Sequence, residues 1–221
     1  MSAPVLEAEG LMKRFGGVTA TNGVALSVQP GETHAVIGPN GAGKTTLVAL
    51  LTGELAPDAG AVRFRGADVT RLPVHARALA GMARSYQITA LFLDMTVLEN
   101  VSLAVQAHDG HSFRFLRPAA ADADLRARAL EALEAVSLAP RAETPAHALS
   151  HGEQRQLEIA MALATAPTLL LLDEPMAGMG AEESQRMVAV LRRLKGALPM
   201  LLIEHDMDAV FALADRIEIR S

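Results

Sequence analysis

Thirteen consecutive residues constrain this chain most: Thr33-His34-Ala35-Val36-Ile37, then Gly38-Pro39-Asn40-Gly41-Ala42-Gly43-Lys44-Thr45. The first five form a short apolar run that reads as a buried strand. Residues 44–51 have helical character and end near Gly53. Between strand and helix, Gly38, Gly41 and Gly43 leave the backbone free to wrap a ligand with no side chain in the way. The loop amides and the start of the helix then face one point, where a negative charge is favoured. Lys44 adds an ammonium to that point, and the Thr45 hydroxyl suits a hard cation. Together these features describe a cradle for a nucleoside polyphosphate. A chance glycine-rich turn would not need the strand before it and the helix after it. The segment therefore predicts an α/β core built around a sheet.

The remaining pattern agrees with such a core. Residues 5–9, 24–28 and 61–65 read as short strands, separated by turn signals at Phe15-Gly16-Gly17, Pro30-Gly31 and Pro57-Asp58-Ala59-Gly60. Residues 168–172 and 200–203 are continuous apolar runs, as buried parallel strands are, and 217–219 starts one more strand. Helices are predicted over 96–106, with Thr96 as N-cap and Glu99 completing a capping box, and over 122–136, 152–165, 182–195 and 207–213. Helices concentrate between the phosphate loop and the 168–172 strand, so a helical lobe over about 88–165 is expected inside the α/β core. The chain of 221 residues is half hydrophobic, enough for a sizeable core. Its net charge of −5, with 20 basic against 25 acidic residues, and the lack of any basic stripe argue against nucleic acid as a partner. Cysteine is absent, which excludes disulfides. No apolar run is long enough to span a bilayer.

Two further segments carry chemistry. Leu169-Leu170-Leu171-Leu172-Asp173-Glu174-Pro175 is a strand ending in adjacent carboxylates, where ligands bind in open α/β sheets. Asp173 suits Mg²⁺ held through water, and Glu174 suits polarising an attacking water. Alone, this ending would serve equally as a solvated loop, and it gains meaning from the phosphate loop upstream. Leu149-Ser150-His151-Gly152-Glu153-Gln154 opens a helix and makes a second anion site, although Ser150 alone is also an ordinary N-cap.

These residues resemble the ATP-binding-cassette (ABC) ATPases over essentially the whole chain. The phosphate loop resembles Walker A, 169–174 resembles Walker B, and 149–154 resembles the cassette signature. More closely, Arg14-Phe15-Gly16-Gly17, the signature segment, Asp173 to Gly180 and Ile203-Glu204-His205-Asp206-Met207 look like the ATP-binding subunits of branched-chain amino acid importers. The resemblance implies a P-loop ATPase core of ABC type with an N-terminal antiparallel β portion and an inserted α-helical lobe. It implies ATP held by Phe15, stacking on adenine, and by Gly38, Pro39, Asn40, Gly41, Ala42, Gly43, Lys44, Thr45 and Thr46. Mg²⁺ would be held by Thr45, Gln87 and Asp173. Catalysis would rest on Glu174, His205 and Gln87. Ser150, His151, Gly152 and Glu153 would cap ATP bound to a second cassette.

That second subunit, identical or not, is one implied partner. Membrane-spanning permease subunits are another, contacted through Gln87 and 88–95, and a substrate-binding protein is reached indirectly. The protein is thus expected in the cytoplasm, peripheral on the inner face of the membrane. Importers of urea or amides, or a soluble cassette without a transport role, are the alternatives. Short helices without heptads between Gln87 and Ser150 weigh against chromosome-type cassettes, and a single Walker A weighs against ribosome-type ones. His151 and Glu153 stand where the common signature has Gly and Gln, and Gly180 stands where many cassettes have Asp. His108 and His111 lack carboxylate company and are not read as a metal pair. The resembled family continues beyond the last strand through a hairpin and a helix, so the C-terminal end at Ser221 is read as shortened.

Overall fold

The computed structural model describes residues 3–85, 91–108 and 123–220. Two compact units emerge. The first comprises Met1–Arg84, Thr168–Glu174 and Leu194–Ser221, and the second comprises Ser85–Pro167 and Pro175–Arg193.

The first unit holds two sheets. Strands β1 (Leu6–Phe15) and β2 (Val18–Val28) form a hairpin closed by Gly16 and Gly17, and β4 (Ala59–Phe64) and β5 (Ala67–Asp68) extend it in the order β2-β1-β4-β5, all antiparallel. The second sheet is parallel, in the order β6 (Met82–Arg84), β7 (Leu169–Asp173), β8 (Met200–Ile203), β3 (Thr33–Ile37), β9 (Arg216–Ile219). Every residue of β7 and β8 is buried, which is why both read as unbroken apolar runs. Helix α1 (Lys44–Thr52) buries Leu47, Val48, Leu50 and Leu51 in a core shared with Leu6, Leu11 and Val28 of the first sheet and Leu171, Leu201 and Ile203 of the second. Helices α2 (Val74–Leu79) and α7 (Met207–Leu213) complete the unit.

The far end of α1 is closed by a single side chain. Arg77 is fully buried and donates to the carbonyls of Leu50, Leu51, Leu72 and Thr70 at 2.6–3.0 Å. A cation there satisfies orphan carbonyls and complements the negative end of the helix dipole. Gly53 makes this geometry available, since a Cβ on it would lie 2.7 Å from Arg77 Nε.

The second unit is helical: α3 (Val97–His108), α4 (Ala123–Ala135), α5 (His151–Ala164) and nearly all of α6 (Ala181–Leu194). The capping box expected at Thr96 is present. Thr96 Oγ1 accepts from Glu99 N at 3.1 Å, and Glu99 Oε2 accepts from Thr96 N at 2.8 Å. Among the described residues, no helix is long and apolar enough to cross a membrane.

The differences from the sequence reading are local. The first two strands run further than 5–9 and 24–28 because the chain continues through Gly10 and Gly23, both at positive φ, to one long hairpin. The predicted 61–65 strand stops at Phe64, because Arg65 and Gly66 form a two-residue turn with both φ values positive, as tight hairpins require. Strand β6 and helix α2 are too short to leave a periodic signal.

Candidate nucleotide site

Register brings the key residues of the first unit to one edge of the parallel sheet. Asp173 pairs with Ile203, Ile203 with Val36, and Val36 with Glu218. The carboxyl ends of β7, β8 and β3 are therefore level. Asp173-Glu174, Glu204-His205 and the Gly38 loop all leave the sheet there, the edge at which open α/β sheets bind ligands.

The loop is shaped by its glycines. A Cβ on Gly38 would fall 2.4 Å from the Arg220 carbonyl oxygen, and one on Gly43, which has φ 76°, would fall 2.1 Å from that of Ala20. Both clashes are with backbone, so no rotamer relieves them. Lys44 is buried, and its ammonium donates to Gly38 O at 2.7 Å and Pro39 O at 3.0 Å. Helix α1 opens with Gly43 as N-cap, no side-chain cap and no acidic residue in its first turn. Its orphan amides and dipole therefore face the loop without a protein anion. Asn40 and Thr45 are exposed and Thr46 is half-buried.

Asp173 is only 2% exposed, and Arg84 Nη2 donates to its Oδ2 at 3.0 Å. Burial pushes the Asp173 carboxyl above the ordinary aspartate range, and the Arg84 guanidinium opposes that shift. Arg84 also pairs with Glu54, so one guanidinium bridges two carboxylates. Among the described residues, no group of three or more His, Cys, Asp or Glu could hold a metal ion by protein ligands alone. Mg²⁺ does not need such a cage, because it keeps waters and takes substrate phosphates beside one or two protein oxygens. The Asp173 carboxylate and the Thr45 hydroxyl are donors of that kind.

Glu174 sits at φ 50°, a left-handed conformation rare outside glycine, and its amide donates to Ile203 O at 2.9 Å. Such a conformation costs about 1–2 kcal/mol and persists only where the surroundings over-determine it. His205 Nδ1 lies 3.9 Å from Glu174 Oε1 and 3.5 Å from Glu204 Oε2. Glu204 is fully buried, and its carboxylate accepts from the amides of His205 at 2.7 Å and Asp206 at 3.2 Å. This shapes the turn that presents the exposed His205 imidazole. Phe15 stands at the tip of the β1–β2 hairpin, 48% exposed, with Lys13 Nζ 5.8 Å from its ring centroid.

The helical unit carries the segment read from the sequence as a second anion site. Ser150 caps α5 in a full capping box: its Oγ accepts from Glu153 N at 3.3 Å, and Glu153 Oε2 accepts from Ser150 N at 2.9 Å. Ser150 Oγ also donates to Glu183 Oε1 at 2.8 Å, as does Gly152 N at 3.2 Å. A Cβ on Gly178 would touch the His151 imidazole at 3.4 Å. Gln87 lies outside the described residues, as does His111.

Sequence reasoning missed three residues of this arrangement. Arg84 ends an unrecognised three-residue strand, and Glu183 meets Ser150 across 33 residues of chain, so neither left a local signal. Glu204 adjoins His205 and was within reach: a carboxylate ending an apolar strand is the same cue that picked out Asp173.

Comparison with known proteins agrees with this geometry. Residues 21–177 match the ABC transporter family. The chain is 40% identical to the high-affinity branched-chain amino acid transport ATP-binding protein BraF of Pseudomonas aeruginosa, covering 99% of this chain and 89% of that one. It is 39% identical to the corresponding LivG protein of Escherichia coli K12, with the same coverage. Its fold matches the ADP conformation of MJ1267, an ATP-binding cassette of an ABC transporter, with a TM-score of 0.86, 28% identity and coverage of 99% of this chain and 88% of that one. With its loop, its strand-end carboxylates and its Ser-capped helix in place, the chain belongs to the ABC transporter family as an ATP-binding cassette.

Proposed function

We propose that this chain is the ATP-hydrolysing subunit of an importer for branched-chain or related amino acids. The observation that carries the hydrolytic part is the level edge of the parallel sheet, where the phosphate loop, Asp173, Glu174 and His205 converge. The importer part rests on likeness to BraF and LivG.

Residues 38–46 bind the triphosphate: loop amides and the α1 N-terminus meet the phosphate oxygens, and the pinned Lys44 ammonium meets the outermost. Phe15 offers an exposed ring for adenine to stack on. Thr45, Asp173 and Gln87 would hold Mg²⁺, which when bound would supply positive charge beside the outer phosphates. Glu174 accepts the proton of the attacking water, and His205 stabilises charge growing on the γ-phosphate. Ser150, His151, Gly152 and Glu153 of a second cassette cap the same nucleotide, so hydrolysis opens the pair.

A permease contact would transmit that opening. Phe92 and Leu93 are exposed apolar side chains in the helical unit. The buried Asn100 side chain holds the Phe92 backbone at both ends, accepting from its N–H at 2.9 Å and donating to its carbonyl at 3.0 Å. This fixes the backbone at Phe92, beside the exposed Leu93, as a docking point for a membrane-spanning subunit requires. In this reading the protein lies on the inner face of the membrane through its partners.

The test is ATP-driven uptake of leucine into vesicles carrying the protein with its co-purified membrane subunits. Uptake abolished by Lys44→Ala supports the proposal. Hydrolysis insensitive to Lys44→Ala contradicts the site. Lys44-dependent hydrolysis with no membrane protein retained points instead to a cassette outside transport.

A further inference from the structure

Glu183 stands in the first turn of α6, and one oxygen of its carboxylate receives both the Ser150 hydroxyl and the Gly152 amide. Gly152 permits this approach, because a Cβ there would lie 2.9 Å from Glu183 Cδ and Oε1. The Ser150 hydrogen bond, then those from the Gly152 and Gly180 amides, hold the Glu183 carboxyl below the ordinary glutamate range, with the nearby His151 adding to them. It is therefore a carboxylate at neutral pH, seated where two helix N-termini favour an anion.

The donors of Ser150 and Gly152 are the groups that, in the reading proposed above, close on the nucleotide of a second cassette. Each has one hydrogen to give: a hydroxyl has a single O–H and an amide a single N–H. The Ser150 oxygen is also accepting from Glu153 N, which leaves its one hydrogen for Glu183. A phosphate oxygen cannot take both hydrogens while Glu183 keeps them, and two anions in one bite repel each other. We infer that Glu183 is an internal competitor of the nucleotide, filling the signature of the lone cassette and leaving it when the pair closes. Glu183 also lines a groove of about 570 Å³ with Arg186 and Arg193, which gives the displaced carboxylate cationic neighbours to turn toward. The inference rests on the proposed pairing. An ion holding α5 to α6 for stability alone would make a different prediction.

The two are separated in the full chain carrying Glu174→Gln to suppress turnover, by sedimentation with Mg-ATP over a range of protein concentrations. Three forms are compared: Glu183 intact, Glu183→Ala and Glu183→Gln. Removing a competitor that holds two charge-assisted hydrogen bonds tightens ATP-dependent pairing about ten-fold in Glu183→Ala, with a smaller gain in Glu183→Gln. ATP affinity below the pairing concentration stays unchanged. Pairing equal to or weaker than that of the Glu183-intact chain, in folded variants, overturns the competitor and leaves the paired signature standing. Absence of nucleotide-dependent pairing in all three forms overturns both. If Glu183→Ala does not fold, Glu183→Gln, which keeps the side chain's size, decides.

Discussion

Helix α1 begins at Gly43 with no capping side chain and no acid in its first turn. Helix α5 begins at Ser150, whose hydroxyl, together with Glu153 and Glu183, satisfies the surrounding amides. The physics at the two points is the same: orphan amides and a partial positive charge that together favour an anion. The first site forgoes the stabilisation of a cap and retains its full potential for a ligand. The second is stable alone, and a ligand must compete for it. A nucleotide would therefore bind the loop first and meet the signature of a second cassette as a later, weaker step, which suits a device that pairs and separates in each cycle.

Three substitutions sharpen or break that comparison. Lys44→Ala has the largest effect: it removes the cation at the bare end and weakens ATP binding by about two orders of magnitude. The cassette's melting temperature barely moves, since the hydrogen bonds of the ammonium among the described residues go to the Gly38 and Pro39 carbonyls, both within its own loop. Titration with a fluorescent ATP analogue, beside thermal unfolding, reads both. Thr46→Glu makes α1 resemble α5, placing an acid where a capping box puts one. It should stabilise the nucleotide-free chain by about 0.3–1 kcal/mol and weaken ATP binding about ten-fold by repulsion. Unfolding midpoints and the same titration check it, and tighter binding would break the comparison. Ser150→Ala is the smallest: it removes the α5 cap at about 1 kcal/mol in denaturant unfolding, while ATP affinity of the lone cassette stays unchanged.

The bare end was legible in the sequence because its parts are contiguous. Thr33 through Thr45 contain the strand, the glycines, the lysine and the helix start, and the structure has β3 over Thr33–Ile37 and α1 from Lys44. Strand β8 over Met200–Ile203 and helix α7 over Met207–Leu213 also fall where their apolar pattern placed them. The filled end was legible only in part. Ser150 and Glu153 are three residues apart, and local spacing announces a cap. Glu183 reaches them through tertiary packing, and no periodicity links positions 150 and 183. Arg84 is hidden for the same reason: its partners Glu54 and Asp173 are 30 and 89 residues away. Arg77, capping the other end of α1 from a six-residue helix, is a third case. Chemistry carried by adjacent residues can be read along the chain, whereas chemistry carried by a long-range ion pair needs the fold.

The central claim is that Glu174, turned out of β7 in a strained conformation beside His205, is the base for ATP hydrolysis at this sheet edge. Glu174→Gln keeps the side chain's size and one acceptor oxygen, but it cannot take a proton from water. The decisive measurement is steady-state phosphate release by that variant with Mg-ATP, alongside its ATP affinity. The account predicts turnover reduced by about 10²–10⁴ with affinity retained, because Lys44, Thr45 and the loop amides are untouched. Turnover near that of the unmodified chain would contradict it, and loss of turnover together with loss of binding would assign Glu174 to the fold instead.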